Sequence, residues 1–216
     1  MRRQALALLL SMAATPALAQ DPEPPVAPTA RPRPADADAP LPDGWPAATE
    51  AGEVRVKAYP PYRSAVARAK GARPEADNVL FFPLFTHIQR REIAMTAPVV
   101  NTYEPAMLDR ADVEGAMSME FLYRTASQGE VGPGVGAVKV VDHPAATYAC
   151  LGYRGVTDPA RLRVEFAKLK AWLAEHGKEW TPVEGGEPRR LDYHGPSTPE
   201  ADRLWEIQVP VRPATR

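Results

Sequence analysis

The chain has 216 residues, of which 44% are apolar and 25% are charged, and its formal net charge is −1. This length and composition are typical of a soluble globular protein that has one domain and some additional chain. The charged residues form no long run of one sign, which argues against nucleic acid and against an anionic membrane as partners.

The N-terminus has the pattern of a secretory signal peptide over residues 1–19. Arg2 and Arg3 precede an apolar run from Ala5 to Ala14, and Ala17-Leu18-Ala19 has the small residues of a cleavage site. The apolar run is about half as long as a membrane span requires. The sequence therefore predicts export, to the periplasm in a bacterium, with no membrane segment left after cleavage. A buried N-terminal helix is the alternative.

Residues 20–46 are crowded with proline and are predicted to be a disordered, extended linker, with a proline-rich recognition motif as the alternative. The remaining chain, residues 47–216, is long enough to form one domain with its own core. Its single cysteine, Cys150, lies in an apolar stretch, which favours an inert core thiol over a reactive one.

The domain contains an internal repeat. The segment from Val54 to Gly71 recurs as Val138 to Gly155, with the valines, the proline and the final glycine at matching positions. Each copy predicts a strand, a turn at the proline and a second strand. The glycine-rich segment Gly129 to Gly136 joins the copies, and it lacks the lysine of a phosphate loop, so we interpret it as a linker.

A helix follows each pair of strands. Asn78 to Arg91 carries an apolar stripe with Pro83 inside it, which predicts a helix that is kinked or starts late. In the second copy, Asp158 is the predicted N-cap and Pro159 the first helical residue, and the helix should end near Gly177.

Two further strands are predicted after each helix: Ile93 to Val100, Met117 to Arg124, Arg190 to His194 and Leu204 to Val211. Two β-β-α-β-β copies give an α+β protein whose antiparallel sheet of about eight strands must curl or close to bury its apolar faces.

Ile93-Ala94-Met95-Thr96-Ala97-Pro98-Val99 closely resembles the signature segment of the SOUL haem-binding protein family. The similarity extends to the apolar helix Phe81 to Gln89, to Tyr193-His194-Gly195-Pro196 and to Trp205-Glu206-Ile207. Two departures are Trp205, where the family pattern has asparagine, and a short Arg90-Arg91-Glu92 connection.

This resemblance implies a distorted antiparallel β-barrel of two pseudo-symmetric halves with two helices packed outside. It also implies binding of haem or another tetrapyrrole in an apolar cleft beside the first helix, although the family provides no universal axial ligand. Haem needs apolar walls, cations for its propionates and, in some proteins, an axial side chain. The candidate cofactor-binding residues are His87, Phe81, Leu84, Phe85, Ile88, Arg91, Met95 and His194, with His87 as the candidate metal ligand.

Other polar residues are weaker candidates. His143 and His176 are expected to be solvated, as are the pair Arg189-Arg190, and Glu206 is expected to be an exposed edge residue. If Glu206 faced the cleft instead, it could bind a cationic ligand or act as a base.

No nucleophile elbow, zincin motif or zinc-ligand spacing is present in the sequence, so no catalytic residue is predicted and an enzyme is the less favoured interpretation. Three hypotheses remain: an exported tetrapyrrole-binding protein that buffers or carries haem, an effector-binding or hydrolytic module of the same fold, and a structural or interaction protein without a ligand.

Overall fold

The structure is a computed structural model that describes residues 37–74 and 77–215. The predicted signal peptide and the predicted linker up to residue 36 lie outside the described residues. Within the described ranges, no helix is long and apolar enough to cross a membrane.

The described chain contains ten strands and three α-helices, which confirms the predicted α+β class. The strands are β1 (Val54–Tyr59), β2 (Tyr62–Ala72), β3 (Val99–Tyr103), β4 (Gly115–Leu122), β5 (Gly132–Pro133), β6 (Lys139–His143), β7 (Ala146–Arg154), β8 (Trp180–Pro182), β9 (Arg189–Asp192) and β10 (Leu204–Pro213). The helices are α1 (Asp77–Arg90), α2 (Pro105–Asp109) and α3 (Pro159–Glu175).

The named strands pair in antiparallel fashion in the order β1-β7-β10-β9-β3-β4-β2-β6-β5, and β8 pairs with β10. Among the described strands, β1 and β5 each have a neighbour on one side only. The sheet is therefore open, and the predicted closure into a barrel is wrong. Closure is unnecessary because other parts of the chain cover both faces of the sheet. The predicted pseudo-symmetry of the two halves stays a prediction.

The two long helices cover one face of the sheet. The apolar residues of α1 that reach this core are Leu80, Leu84 and Ile88, and those of α3 are Leu162, Phe166, Leu169 and Leu173. The Asp158 carboxylate accepts the Arg161 N–H at 2.7 Å, which confirms the predicted N-cap. Helix α1 includes Pro83 and begins at Asp77, so it does not start late.

An N-terminal strap, which we define as residues 37–50, covers the opposite face. Trp45 is buried there with its ring edge-on to Tyr59 and Tyr62, at centroid distances of 4.7 and 5.1 Å. The Asp38 N–H donates to the Tyr193 carbonyl at 3.0 Å. The strap packs on the domain because the indole of Trp45 has a large apolar surface to bury, and the predicted boundary at residue 47 stays a prediction.

The signature segment differs from the predicted strand. Residues 93–98 have no strand pairing, and β3 begins at Val99. The Thr96 hydroxyl donates to the Leu122 carbonyl at 2.6 Å, and the Ala97 N–H donates to the Pro40 carbonyl at 3.1 Å. The strand prediction is wrong before Val99 because these donors bind the end of β4 and the strap, and Pro98 has no N–H for a ladder.

Candidate ligand-binding site

An apolar cleft of about 470 Å³ lies where α1, the segment before β3 and the turn between β9 and β10 meet. Its walls include Phe81 from α1, Met95 and Val99 from the signature segment, Met119 from β4 and Trp205 from β10. The volume is within the range of about 300–1,000 Å³ that is common for small-molecule pockets. The cleft can therefore hold an apolar ligand.

Trp205 forms a fixed wall of this cleft. Side chains alternate along β10, so Trp205 and Ile207 lie on the helix side of the sheet while Glu206 lies on the strap side. The indole Nε1–H donates to the Gly155 carbonyl at 2.7 Å, and the Arg190 guanidinium lies 5.2 Å from the ring centroid. These contacts fix the orientation of the ring before a ligand binds.

The rim of the cleft is charged. Arg203 donates to the Thr198 carbonyl at 2.9 Å, and the Asp38 carboxylate accepts the Gly195 N–H at 2.7 Å and the Thr198 hydroxyl at 2.8 Å. Burial alone would raise the pKa of Asp38, but these two hydrogen bonds and the charge of Arg203 hold that pKa below its usual value. The strap is thus tied to the β9–β10 turn by an ionised carboxylate.

His194 also lines the cleft and is buried. Its Nδ1 accepts the Leu204 N–H at 3.0 Å. A neutral imidazole has one N–H and one lone pair, so an Nδ1 that accepts a hydrogen bond leaves the proton on Nε2. The Nδ1 lone pair of His194 is therefore used within the protein and is not offered to a metal ion.

A second cavity, of about 290 Å³, lies at the C-terminal end of α1. It is lined by His87, Arg91, Tyr123 and part of the glycine-rich segment that follows β4. That segment was predicted to be only a linker, yet it forms a wall of this cavity. The signature segment separates the two sites, since Ile93 lines the second cavity and Met95 lines the apolar cleft.

The protein itself engages both ring nitrogens of His87, which is buried. Nδ1 accepts the Val135 N–H at 3.1 Å, and Nε2 lies 2.8 Å from the Tyr123 hydroxyl. The approach of Val135 depends on Gly134, because a Cβ at that position would lie 2.9 Å from Nδ1. Burial, and secondarily the charge of Arg91, lowers the pKa of His87, so the ring is neutral and its Nε2–H donates to Tyr123.

The sequence profile of the SOUL heme-binding protein family matches residues 46–210. The chain belongs to the SOUL family. No curated protein matches it.

Solved structures share the SOUL member's fold at low identity. The C-terminal domain of EcmrR is 19% identical with a TM-score of 0.57, and the match covers 74% of this chain and 97% of that one. A hydrolase encoded by lin2189 from Listeria innocua is 10% identical with a TM-score of 0.53, covering 75% and 93%. An uncharacterized conserved protein from Listeria innocua is 12% identical with a TM-score of 0.56, covering 75% and 93%. At these identities the likeness shows the fold alone.

The residues predicted to form one SOUL site are distributed over three environments. Phe81, Met95 and His194 line the apolar cleft, whereas His87 and Arg91 line the second cavity. The remaining three do not line either of them: Leu84 and Ile88 are buried in the core, and Phe85 is partly exposed and stacks on Phe81. The sequence pattern did not indicate Trp205, Arg203 or Asp38 as residues of the cleft.

Glu206 is not an exposed edge residue, and that prediction is wrong. The side chain is fully buried and accepts hydrogen bonds from Lys57 Nζ at 2.6 Å, from Gln208 Nε2 at 2.5 Å and from the Thr49 N–H. It is also not among the residues that line the apolar cleft. The physical reason is its position on the strap side of β10, where Lys57 compensates its charge.

A third cavity, of about 320 Å³, is polar and includes Glu120 and His143. The Glu120 carboxylate accepts the Ser64 hydroxyl at 2.9 Å and lies 3.2 Å from His143 Nε2, which is 2.8 Å from the same hydroxyl. A catalytic triad needs the carboxylate on the far nitrogen of the histidine, whereas here one nitrogen faces both partners. Ser64 is also fully buried, so this cluster does not have the geometry of a hydrolytic triad.

Arg189 closes one side of this third cavity and is 3% exposed, so the prediction of a solvated arginine pair is wrong. Its guanidinium lies 3.6 Å from the centroid of the Tyr148 ring and donates to Gln208 at 2.8 Å and to the Tyr62 hydroxyl at 3.2 Å. Aromatic faces and neutral acceptors replace water around the charge. His143 is likewise not simply solvated, since it stacks on Tyr62 at 4.3 Å.

The described residues contain no group of three or more histidine, cysteine or acidic side chains that could hold a metal ion.

Proposed function

We propose that this SOUL family member is an exported, non-enzymatic protein that binds haem or another tetrapyrrole in the apolar cleft and buffers or carries it. The observation that supports the proposal is the cleft itself, which has aromatic and thioether walls and a volume of about 470 Å³. Arg203 on its rim is a cation that suits a propionate group.

The residues of the cleft fit the macrocycle better than they fit histidine-ligated iron. His194 has its Nδ1 occupied by a backbone N–H, and His87 uses both nitrogens within the protein and lines a different cavity. If iron is ligated, the thioethers of Met95 and Met119 are candidate ligands among the cleft side chains. Ligation by His87 stays a prediction, and it would require the loss of the His87–Tyr123 contact.

The test is a titration of the full chain with haemin and, separately, with metal-free protoporphyrin. We expect saturable quenching of tryptophan fluorescence by both, with affinities within about tenfold of each other, because no histidine bond to iron contributes. Lack of saturable binding of either would overturn the proposal. A loss of haemin affinity in His87→Ala, with protoporphyrin affinity retained, would support axial ligation by His87 instead.

Adjacent phenylalanines of α1 provide a matched pair of variants. Phe81 lines the cleft, whereas Phe82 is 69% exposed and is not among the lining residues. Phe81→Ala should weaken tetrapyrrole binding by about tenfold or more because it removes apolar contact area, and Phe82→Ala should leave it unchanged. Equal effects of the two changes would show that the ligand binds elsewhere.

The second candidate is a small-molecule effector-binding module, and the observation that favours it is the third cavity with its buried Glu120. Burial alone would raise the pKa of this carboxyl, but hydrogen bonds from His143 and Ser64 lower it, so the cavity contains an ionised carboxylate together with the Arg189 guanidinium. The geometry of Ser64 and His143 favours binding over hydrolysis. A lipophilic cation that quenches fluorescence in the wild-type chain and not in Glu120→Gln would support this candidate.

Export is the part of the proposal that rests on residues 1–19 alone. Fractionation of the producing cells, with N-terminal sequencing of the protein, should find a periplasmic form that begins at Gln20. A cytoplasmic form that retains Met1 would contradict it.

A further inference from the structure

The second cavity offers a hydrogen-bond donor that the fold itself does not use. The hydrogen bonds of His87 identify this donor as the hydroxyl of Tyr123. The Val135 N–H donates to Nδ1, so Nδ1 must carry a lone pair, and the single proton of the neutral ring is on Nε2. Nε2 therefore donates to the Tyr123 oxygen at 2.8 Å.

The proton of the Tyr123 hydroxyl must then find another acceptor. Among the described residues, the hydroxyl has no hydrogen-bond partner besides His87, and Tyr123 lines the second cavity. The phenol stays protonated, because burial raises the pKa of Tyr123. The O–H group is thus available to an acceptor in the cavity, while the hydrogen bond from His87 Nε2–H fixes the position of the phenol oxygen.

Arg91 adds a positive charge beside this hydroxyl. It follows His87 by one helical turn and lines the same cavity, and its charge acts to lower the pKa of both His87 and Tyr123, although burial outweighs it at Tyr123. Glu130 also lines the cavity and disfavours a second negative charge on the ligand. The polar groups therefore favour a ligand that carries one negative charge.

Apolar side chains, among them Ile93, Val131 and Val140, line other parts of the cavity together with the polar Gln128. The cavity volume of about 290 Å³ is at the lower end of the range for small-molecule pockets. A bound molecule would be small, with an apolar body next to these side chains and an acidic group at the Tyr123 hydroxyl.

We propose that the second cavity is a binding site for a small apolar monocarboxylate, whose carboxylate accepts the Tyr123 O–H and pairs with Arg91. His87 is a positioning residue of this site, since it fixes which way the phenol donates. The site is separate from the apolar cleft in which we place the tetrapyrrole.

Benzoate is a suitable probe, and benzamide is its uncharged counterpart. In calorimetric titrations of the full chain, benzoate should bind at least about tenfold more tightly than benzamide, because a hydrogen bond to a charged group is worth more than a neutral one. Tyr123→Phe and Arg91→Gln should each weaken benzoate binding by about tenfold or more. Arg90→Gln, a change in the neighbouring arginine that does not line the cavity, should not.

Nitrogen-15 NMR of the His87 ring tests the donor assignment without a ligand. We expect a protonated Nε2 and an unprotonated Nδ1 in the folded chain. A protonated Nδ1, equal affinity for benzoate and benzamide, or unchanged benzoate binding in a folded Tyr123→Phe variant would each overturn the proposal. Haemin affinity should be the same in Tyr123→Phe and the wild-type chain, so this proposal and the tetrapyrrole proposal can fail independently.

Discussion

The ion pair between Lys57 and Glu206 provides the sharpest test of how the strap side of the sheet is stabilised. Lys57 Nζ lies 2.6 Å from the carboxylate, and the side chains of Lys57 and Glu206 are 12% and 0% exposed. At this distance the Coulomb attraction is about 6 kcal/mol for an effective dielectric constant of about 20. Desolvation of both groups offsets much of it, but removal of one partner leaves a buried charge without compensation.

Replacement of Lys57 by methionine keeps most of the side-chain volume and removes the cation. We expect Lys57→Met to lower the free energy of unfolding by about 3–5 kcal/mol, which is typical when one member of a buried pair is removed. Urea denaturation followed by circular dichroism measures the change. Lys70→Met, at an exposed position of β2, is the matched control and should change stability by less than about 0.5 kcal/mol.

A second substitution separates charge from packing. Glu206→Gln in the Lys57→Met background removes the uncompensated charge, so the double variant should recover part of the lost stability. If Lys57→Met costs less than about 1 kcal/mol, or if the double variant is less stable than Lys57→Met alone, then the carboxylate is not held as a buried charge. Glu206 would then again be a candidate for ligand binding.

Three further predictions concern the same side of the molecule. The pKa of Glu120 is lowered from its ordinary value of 4.5, so the ionised carboxylate stabilises the fold above that pH, and this stabilisation is lost as the pH falls through the folded-state pKa. The urea midpoint of the wild-type chain should therefore fall more steeply below pH 4.5 than that of Glu120→Gln. Trp45→Ala should lower the free energy of unfolding by about 3–5 kcal/mol through loss of the strap's aromatic contacts, and an unchanged urea midpoint would show that the strap is dispensable. Burial raises the pKa of Cys150 to about 12, so a thiol reagent should label it only upon unfolding, and rapid labelling of the folded chain would contradict its place in the core.

The sequence predicts correctly those features that depend on neighbouring residues, such as the start of a helix. The Asp158-Pro159 pair defines the start of α3, because the cap and the fixed φ of proline act within one turn. The signature segment and the final strand indicate the SOUL family from local sequence alone, and the family match over residues 46–210 confirms it. The buried state of Cys150 followed from its apolar neighbours.

The sequence could not show features that depend on distant partners. Arg189 appears solvated in the sequence, and only the folded chain brings Tyr148 and Gln208 to its guanidinium. Trp45 follows a proline-rich stretch, and its core position depends on Tyr59 and Tyr62 in β1 and β2. Helical spacing placed His87 near the apolar residues of α1, but it could not show that the chain around Val135 returns to cover the ring.

The attachment of the strap has a consequence for the surroundings of the apolar cleft. Asp38 belongs both to the first described residues of the chain and to the lining of the apolar cleft. Any tether, tag or fused domain upstream of residue 37 is therefore joined to the domain close to the rim of the apolar cleft. A fluorophore at that junction should report binding of a tetrapyrrole in the cleft, if the proposed function is right.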